Sequence, residues 1–161
     1  MTFDDRDRAM MTLAIEASRE AVAAGNMPFG AVLVAADRSE PLVARNDQLT
    51  TGDCTGHAET VLVREATRRF GAGSLRGGTV YASGEPCAMC CGALFWAGVS
   101  RVVFACPTPR IGEILGDPVL PLDSRGVLAG TRPEVRVDGP LLGDEAAAVI
   151  EAFVAGRATP S

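Results

Sequence analysis

The stretch Pro86-Cys87-Ala88-Met89-Cys90 decides the fold of this chain, together with His57-Ala58-Glu59 earlier in the sequence. His57 is the only histidine in the chain. Cys87 and Cys90 are spaced i, i+3, so both sulfurs lie on one face of a helix. Each stretch follows a predicted loop and begins a predicted helix, where unpaired N–H groups and a partial positive charge favour thiolates. The residues together predict a metal site at two helix N-termini.

One imidazole and two thiolates suit a tetrahedral zinc ion whose fourth position stays open. A water in that position has its pKa lowered towards about 7, which makes it a nucleophile at neutral pH. Glu59 lies two residues from the ligand His57 and points elsewhere around its helix, so we expect it to move a proton rather than to bind metal. The combination of H-x-E with P-C-x-x-C is the pattern of zinc-dependent nucleobase deaminases.

The length and composition predict one globular domain over residues 1–161. Apolar residues make up 47% of the chain and charged residues 22%, which is typical of a folded protein. The sequence has no apolar run long enough to span a membrane, and its charged N-terminus does not resemble a signal peptide. Five cysteines, two of them in a ligand-like pair, fit a reducing compartment. We therefore expect a cytoplasmic protein with no membrane contact.

The charge balance narrows the classes of function. The net charge is −5, and all 15 basic residues are arginines. Without lysine the chain has neither a Schiff-base lysine nor a P-loop lysine. Because phosphate neutralisation supplies most non-specific nucleic-acid affinity, the acidic balance disfavours a nucleic-acid partner.

The hydrophobic pattern predicts helices and strands that alternate along the chain. The predicted helices cover 4–24, 57–70, 87–97 and 141–158, and the predicted strands cover 30–36, 42–45, 79–83, 101–105 and 134–137. Residues 106–123 contain four prolines and predict mostly loop, with one helical turn at 111–115. The first two strands form a hairpin, and later strands separated by helices imply parallel crossovers. The pattern predicts an α/β fold, a mixed sheet with helices on both faces.

With these residues in place, the chain resembles the cytidine-deaminase-like superfamily, in the branch of bacterial guanine deaminases and tRNA adenosine deaminases. The resemblance covers residues 5–106 and rests on Pro28-Phe29-Gly30-Ala31-Val32, Asn46, the two stretches above, and residues 92–97 and 101–105. It implies a three-layer α/β/α sandwich with a five-stranded mixed sheet, a zinc cofactor held by His57, Cys87 and Cys90, and a homodimer.

The resemblance also implies roles for residues around the substrate. Asn46 hydrogen-bonds the substrate base, Phe29 walls the pocket, and the main chain around Ala58 fixes the base edge. Trp96 lies at the pocket rim or at a subunit interface. Phe29 and Trp96 also fit a plain core role, and Asn46 also fits a turn.

The resemblance defines the substrate less precisely than it defines the metal site. Phe95-Trp96 resembles the guanine-deaminase side, whereas the tRNA enzymes usually carry a His-Ser-type pair and a basic surface, which this chain lacks. The guanine-deaminase pattern has an acid soon after the 101–105 strand and an aromatic residue near the C-terminus. Here Glu113 is the nearest acid and Phe153 the available aromatic residue. These departures leave room for another aminated heterocycle.

Three hypotheses follow from the sequence. The first is hydrolytic deamination of a free nucleobase or related aminated ring, guanine foremost, with release of ammonia. The second is deamination of the wobble adenosine of tRNA. The third is a non-catalytic structural-zinc module, in which Cys54 or another thiol closes the fourth position.

Four further residues complete the expectations. Glu85 is expected to be a helix cap or an acid supporting the site, and Cys91 a buried core thiol. Cys54 and Cys106 either line the pocket or serve as small hydrophobic residues. The proline-rich segment 106–123, or the C-terminal helix, is expected to form a lid.

Overall fold

The computed structural model describes residues 2–116 and 119–158, which form one five-stranded sheet with helices around it. The strands are β1 (Gly30–Val34), β2 (Leu42–Arg45), β3 (Thr79–Gly84), β4 (Arg101–Cys106) and β5 (Arg136–Asp138). The helices are α1 (Asp5–Ala23), α2 (Gln48–Thr51), α3 (Ala58–Phe70), α4 (Ala88–Trp96), α5 (Thr108–Leu115), α6 (Ser124–Leu128) and α7 (Gly143–Ala158). No helix within the described ranges is both long and apolar enough to cross a membrane.

The sheet is mixed and has the strand order β2-β1-β3-β4-β5. Strand β1 runs antiparallel to both β2 and β3, while β3, β4 and β5 run parallel. The predicted hairpin and the two later parallel crossovers are therefore confirmed. The connection through α3 places β3 beside β1 rather than beside β2, so β1 has an antiparallel neighbour on each side.

Successive strand residues point to opposite faces of the sheet and fill two separate cores. On β4, Val103 packs against α1, α5 and α7, whereas Val102 packs against α3, α4 and α6. The same alternation occurs on β1, where Val32 belongs to the first core and Ala31 and Leu33 to the second. The three-layer α/β/α sandwich expected from the sequence is confirmed.

Helix α1 lies unusually close to the sheet because small residues meet at the contact. Ala14 and Ala17 on α1 face Gly30, the first residue of β1. A Cβ atom at Gly30 would collide with the carbonyl oxygen of Ala14 and with the Ala17 methyl group. The helix starts at a capping box formed by Asp4 and Asp7.

The structure contains more helix than the sequence pattern predicts. Helix α2 lies inside a predicted loop, α5 has two turns instead of one, and α6 was not predicted at all. The prolines favoured the prediction of a loop. Pro107 and Pro109 nevertheless lie at the start of α5, where a missing N–H costs no hydrogen bond. Strand β5 also begins two residues later than predicted. Residues 117 and 118 of the predicted loop lie outside the described residues.

A buried charge network fastens α1 to the sheet. Arg101 on β4 donates two hydrogen bonds to the Asp7 carboxylate, at 2.6 and 3.1 Å, and a third to Asp138 on β5 at 2.7 Å. The Tyr81 hydroxyl also donates to Asp7, at 2.8 Å. The hydrogen bonds from Arg101 are the main reason that the pKa of Asp7 lies below its usual value. The Asp7 carboxylate thus links α1, β3 and β4, and its partner Arg101 lies at the amino end of β4, whereas Cys87 follows the carboxyl end of β3.

We expect Asp7→Asn to lower the free energy of unfolding at pH 7 by about 3 kcal/mol, the low end for a broken buried ion pair because Arg101 keeps Asp138. Since the pKa of Asp7 is lower in the folded protein, its stabilisation is present above the usual carboxyl pKa of 3.8 and is lost as the pH falls through the lowered value. Urea unfolding at several pH values measures both effects.

The control is Glu16→Gln, which breaks the exposed Arg19–Glu16 pair and should change stability by less than about 1 kcal/mol. If Asp7→Asn behaved like this control, or if its deficit did not shrink towards acid pH, the network would not have the role given to it.

Candidate functional site

Three ligand-type side chains converge where α3 and α4 begin. His57 is the N-cap of α3, Cys87 is the N-cap of α4, and Cys90 lies in the first turn of α4. The two sulfurs are 3.7 Å apart, and His57 Nδ1 lies 3.7 Å from Cys87 Sγ and 3.6 Å from Cys90 Sγ. Tetrahedral zinc, with Zn–S of ~2.3 Å and Zn–N of ~2.0 Å, requires ~3.8 Å between sulfurs and ~3.5 Å between nitrogen and sulfur. The triangle therefore has the dimensions that zinc requires.

Within the described residues this group contains three ligands and no fourth. Cys54 is exposed in the loop before α3, and Cys106 is fully buried in the core at the end of β4. Cys91 is buried as predicted, and its thiol donates to the carbonyl oxygen of Pro86 at 3.4 Å. The closed four-ligand site of the third hypothesis thus finds no support from these thiols.

The ligands influence each other's protonation. Hydrogen bonding with Cys90, supported by His57, lowers the pKa of Cys87 to about 4. The same contacts with Cys87 raise the pKa of Cys90 and that of His57. A bound divalent cation has the opposite effect and lowers the pKa of Cys90 and of His57, because a coordinated thiol is deprotonated outright and a coordinating imidazole is neutral. Metal binding at this site therefore releases protons.

Glu59 is the acid beside the triangle. It lies in the first turn of α3, is 6% exposed, and lines the same pocket as His57 and Cys87. Burial is the main cause that raises the pKa of its carboxyl group above the usual value. A buried acid with a raised pKa is suited to taking up and releasing a proton during a reaction. Glu59 therefore adjoins the metal site in the position predicted for a proton carrier.

A cavity of about 460 Å³ opens over this site. Its lining comprises Met27, Phe29, Gln48, His57, Glu59, Gly84, Glu85, Cys87, Thr108, Ile111, Leu115, Val119, Leu120 and Leu122. The proline-rich segment thus contributes part of the lining, and its role as a lid stays a prediction. The C-terminal helix α7 supplies none of these lining residues and instead packs Ala146 and Ile150 into the core.

Of the predicted substrate contacts Phe29 and Ala58, only Phe29 is among the described lining residues. Phe29 lines the pocket and packs over Gly84, where a Cβ atom would approach the Phe29 ring to 2.9 Å. Ala58 is fully buried as the first residue of α3, between His57 and Glu59. Their contacts with substrate remain predictions.

Asn46 is buried, but its side chain is engaged in a turn. Its Nδ2 donates to Gln48 Oε1 at 2.7 Å, and its Oδ1 accepts from the Gln48 backbone N–H at 3.1 Å. Gln48, rather than Asn46, is among the lining residues. Asn46 thus orients Gln48, and its own contact with substrate stays a prediction.

The structure does not bring Trp96 or Glu113 to the pocket. Trp96 ends α4 with 84% of its surface exposed, in edge-to-face contact with Phe95. It lines a different hollow, which includes Val63. Glu113 is exposed on α5, and its Oε2 lies 3.5 Å from Arg110 Nη1. A place for Trp96 at a subunit interface remains a prediction, whereas Glu113 as a substrate contact has no geometric support.

Glu85 accepts hydrogen bonds at the starts of two helices. Its Oε2 accepts from the Thr108 backbone N–H at 2.8 Å, at the start of α5. Its Oε1 accepts from the Ser124 backbone N–H at 3.1 Å and from the Ser124 hydroxyl at 2.6 Å, at the start of α6. One carboxylate, two residues before Cys87, thus holds both ends of the segment that walls the pocket.

Several lining residues were not found from the sequence. Gln48 lies in α2, a helix within a predicted loop, and it belongs to no recognisable sequence motif. Ile111 and Leu115 bound the helical turn that the sequence predicts at 111–115, but nothing in the sequence marks them as pocket residues.

We expect the purified protein to hold about one zinc ion per chain, and Cys90→Ala to lose it, because two remaining ligands give a much weaker site. Elemental analysis after dialysis measures the ratio. Cys54→Ala is the matched control, since that thiol is exposed and outside the triangle. Full zinc in Cys90→Ala, or loss of zinc in Cys54→Ala, would show that the ligands are assigned wrongly.

Comparison with known proteins places this geometry in a family. A family sequence model described as "Cytidine and deoxycytidylate deaminase zinc-binding region" matches residues 4–106. A probable cytosine deaminase of Schizosaccharomyces pombe is 35% identical over 151 residues, 88% of each chain. The tRNA-specific adenosine deaminase of Haemophilus influenzae is 34% identical over 67% of this chain and 62% of its own length. The guanine deaminase of Bacillus subtilis is 41% identical over 48% of this chain and 49% of its own.

The fold also has solved counterparts. A guanine deaminase from Nitrosomonas europaea superimposes with a TM-score of 0.75 at 22% identity, covering 96% of this chain and 87% of that one. At this identity the similarity establishes the shared fold.

Proposed function

The chain belongs to the cytidine and deoxycytidylate deaminase family, and from that premise we propose that it deaminates a free nucleobase or a related aminated heterocycle by hydrolysis. Guanine is the first candidate substrate, and ammonia is the product. The observation that carries the proposal is the buried carboxyl of Glu59 beside a three-ligand metal site that opens into a pocket. The relative from S. pombe adds cytosine to the candidates.

In the proposed reaction His57, Cys87 and Cys90 hold zinc. When bound, zinc acts as a Lewis acid that lowers the pKa of water towards about 7 and so supplies a nucleophile at neutral pH. Glu59 takes a proton from water on a carboxylate oxygen and passes it to the ring nitrogen beside the amine-bearing carbon. The oxygen of water bonds to that ring carbon as a hydroxyl group. Glu59 then takes the second proton from this hydroxyl group and delivers it to the departing amine, so that the C–N bond breaks as the carbonyl forms. Water and the amine thus become a ring carbonyl and ammonia.

We expect Glu59→Gln to keep its zinc and its fold but to lose about 10²- to 10⁴-fold in kcat, because an amide cannot carry the proton. Ammonia release and zinc content are measured on the same preparation. Glu65→Gln is the control on the same helix, since Glu65 pairs with Arg68 and Arg69. Activity of Glu59→Gln within a few-fold of the wild type would remove Glu59 from the mechanism.

Deamination of adenosine in tRNA is the second candidate, favoured by the similarity to the H. influenzae enzyme. The net charge of −5 and the absence of lysine weigh against it, because RNA binding relies on cationic contacts to phosphate. The proposed order of the two candidates rests on this charge balance.

The salt dependence of the reaction distinguishes the two candidates. Turnover of a free base should change little between about 50 and 200 mM salt, whereas an enzyme with several phosphate contacts weakens by about 10³-fold or more. Ammonia release from free bases and inosine formation in tRNA are followed at both salt concentrations. Salt-sensitive inosine formation, with no ammonia from any free base, would favour the second candidate.

We also propose that the chain forms a homodimer. The large exposed side chain of Trp96, beside Phe95 at the end of α4, supports an interface there, because few tryptophans stay 84% exposed in a monomer. Sedimentation equilibrium tests this, and a monomer at micromolar concentration would contradict it.

A further inference from the structure

One wall of the pocket is aliphatic. We call the residues Ile111, Leu115, Val119, Leu120 and Leu122 the aliphatic wall. Val119, Leu120 and Leu122 are 47%, 56% and 58% exposed, although leucine and valine are usually buried. The same side chains line the cavity that contains His57 and Glu59, so an apolar group bound in the cavity would cover them.

Two of the polar side chains that line the pocket, Gln48 and Glu85, already form hydrogen bonds within the protein. Gln48 Oε1 accepts from Asn46 at 2.7 Å, and its Nε2 donates to the Cys54 carbonyl oxygen at 3.2 Å. Both Glu85 oxygens accept from the first residues of α5 and α6. Both side chains are therefore held in place by partners within the protein. Among the described lining residues outside the metal site and Glu59, only Gln48, Glu85 and Thr108 are polar, so most of the remaining lining is apolar.

The aliphatic wall is fastened to the metal site. Glu85 holds both ends of the segment that carries it and lies two residues before Cys87. Ile111 also packs with Phe29 over Gly84, where a Cβ atom would lie 3.1 Å from Ile111 and 2.9 Å from Phe29. These contacts make the wall a preformed part of the pocket.

We propose that the preferred substrate is an aminated heterocycle that carries an apolar substituent, and that the aliphatic wall binds this substituent. The ring places its amine-bearing carbon at the metal site, and the substituent covers Leu115 and Leu120. The cavity of about 460 Å³ falls within the range of ~300–1,000 Å³ for pockets that bury ligands larger than a bare base. This inference rests on the proposed function and specifies the class of substrate for the same site.

Matched pairs of substrates test the inference on the zinc-loaded enzyme. The pairs are guanine with 8-propylguanine, cytosine with 5-propylcytosine, and 2,4-diamino-1,3,5-triazine with its 6-propyl derivative. Since one methylene in an apolar pocket changes kcat/KM by about 10-fold or more, at least one propyl compound should exceed its parent by that factor. Leu120→Gln should reduce the propyl-to-parent ratio towards one. Leu13→Gln, on the far helix α1 and 39% exposed, should leave the ratio unchanged.

Binding to Glu59→Gln gives a readout without turnover. The propyl compound that is preferred in the assay should bind this variant at least about 10-fold more tightly than its parent, with a more negative heat-capacity change from apolar burial. Calorimetry measures both quantities. Glu85→Gln removes an acceptor from the wall's anchor and should raise KM for the propyl compound more than for the parent, while zinc content stays full.

The possible failures are distinguishable. Parent rings that release ammonia as fast as, or faster than, every propyl derivative would overturn the inference and leave the proposed function intact. A Leu120→Gln variant that keeps its substrate ratio but dissociates a dimer would show that a second copy covers the wall, which also overturns it. No ammonia from any of the six rings would overturn the proposed function and this inference with it.

Discussion

The spacing of three ligand atoms at two helix N-termini is the constraint on which the site depends. His57 and Cys87 both cap helices, so their backbone geometry fixes where each side chain starts. Helices α3 and α4 pack side by side on one face of the sheet, through Leu62 and Leu94 among others. The core under these helices therefore sets the distances of 3.6 to 3.7 Å between the ligand atoms. A shift of either helix would change a distance that zinc tolerates only narrowly.

The same arrangement explains how the pocket is coupled to the metal site. Strand β3 leads directly into Glu85 and then into Cys87, so the residues that fix the wall and the metal follow one another in the chain. Glu85 ties α5 and α6 to this strand end by accepting three hydrogen bonds. The metal ligands and the pocket wall thus lie on different segments of the chain, and Glu85 connects the two.

The sequence predicted most of the layers and the metal site, because each has a local signal. Hydrophobic periodicity marked the long helices and strands, and the spacing of His57, Cys87 and Cys90 marked the ligands. The sequence predicts a lid in segment 106–123 and a helical turn at 111–115, but it does not predict which side chains line the pocket, because α5 and α6 are short and depend on tertiary contacts such as those of Glu85. The folded structure places Gln48 in the pocket and Glu113 at the surface, and it shows Asn46 in a turn, one of the two alternatives that the sequence left open. Residues that act through long-range packing leave no periodic signal.

X-ray absorption at the zinc edge of the purified protein reports the ligands of the bound ion and so tests their assignment. We expect two sulfur ligands at ~2.3 Å, one imidazole nitrogen and one further light atom at ~2.0 Å, the set of an open catalytic site. Three or four sulfur ligands would mean that another thiol closes the site. Such a result would contradict both the triangle of His57, Cys87 and Cys90 and the hydrolytic function built on it.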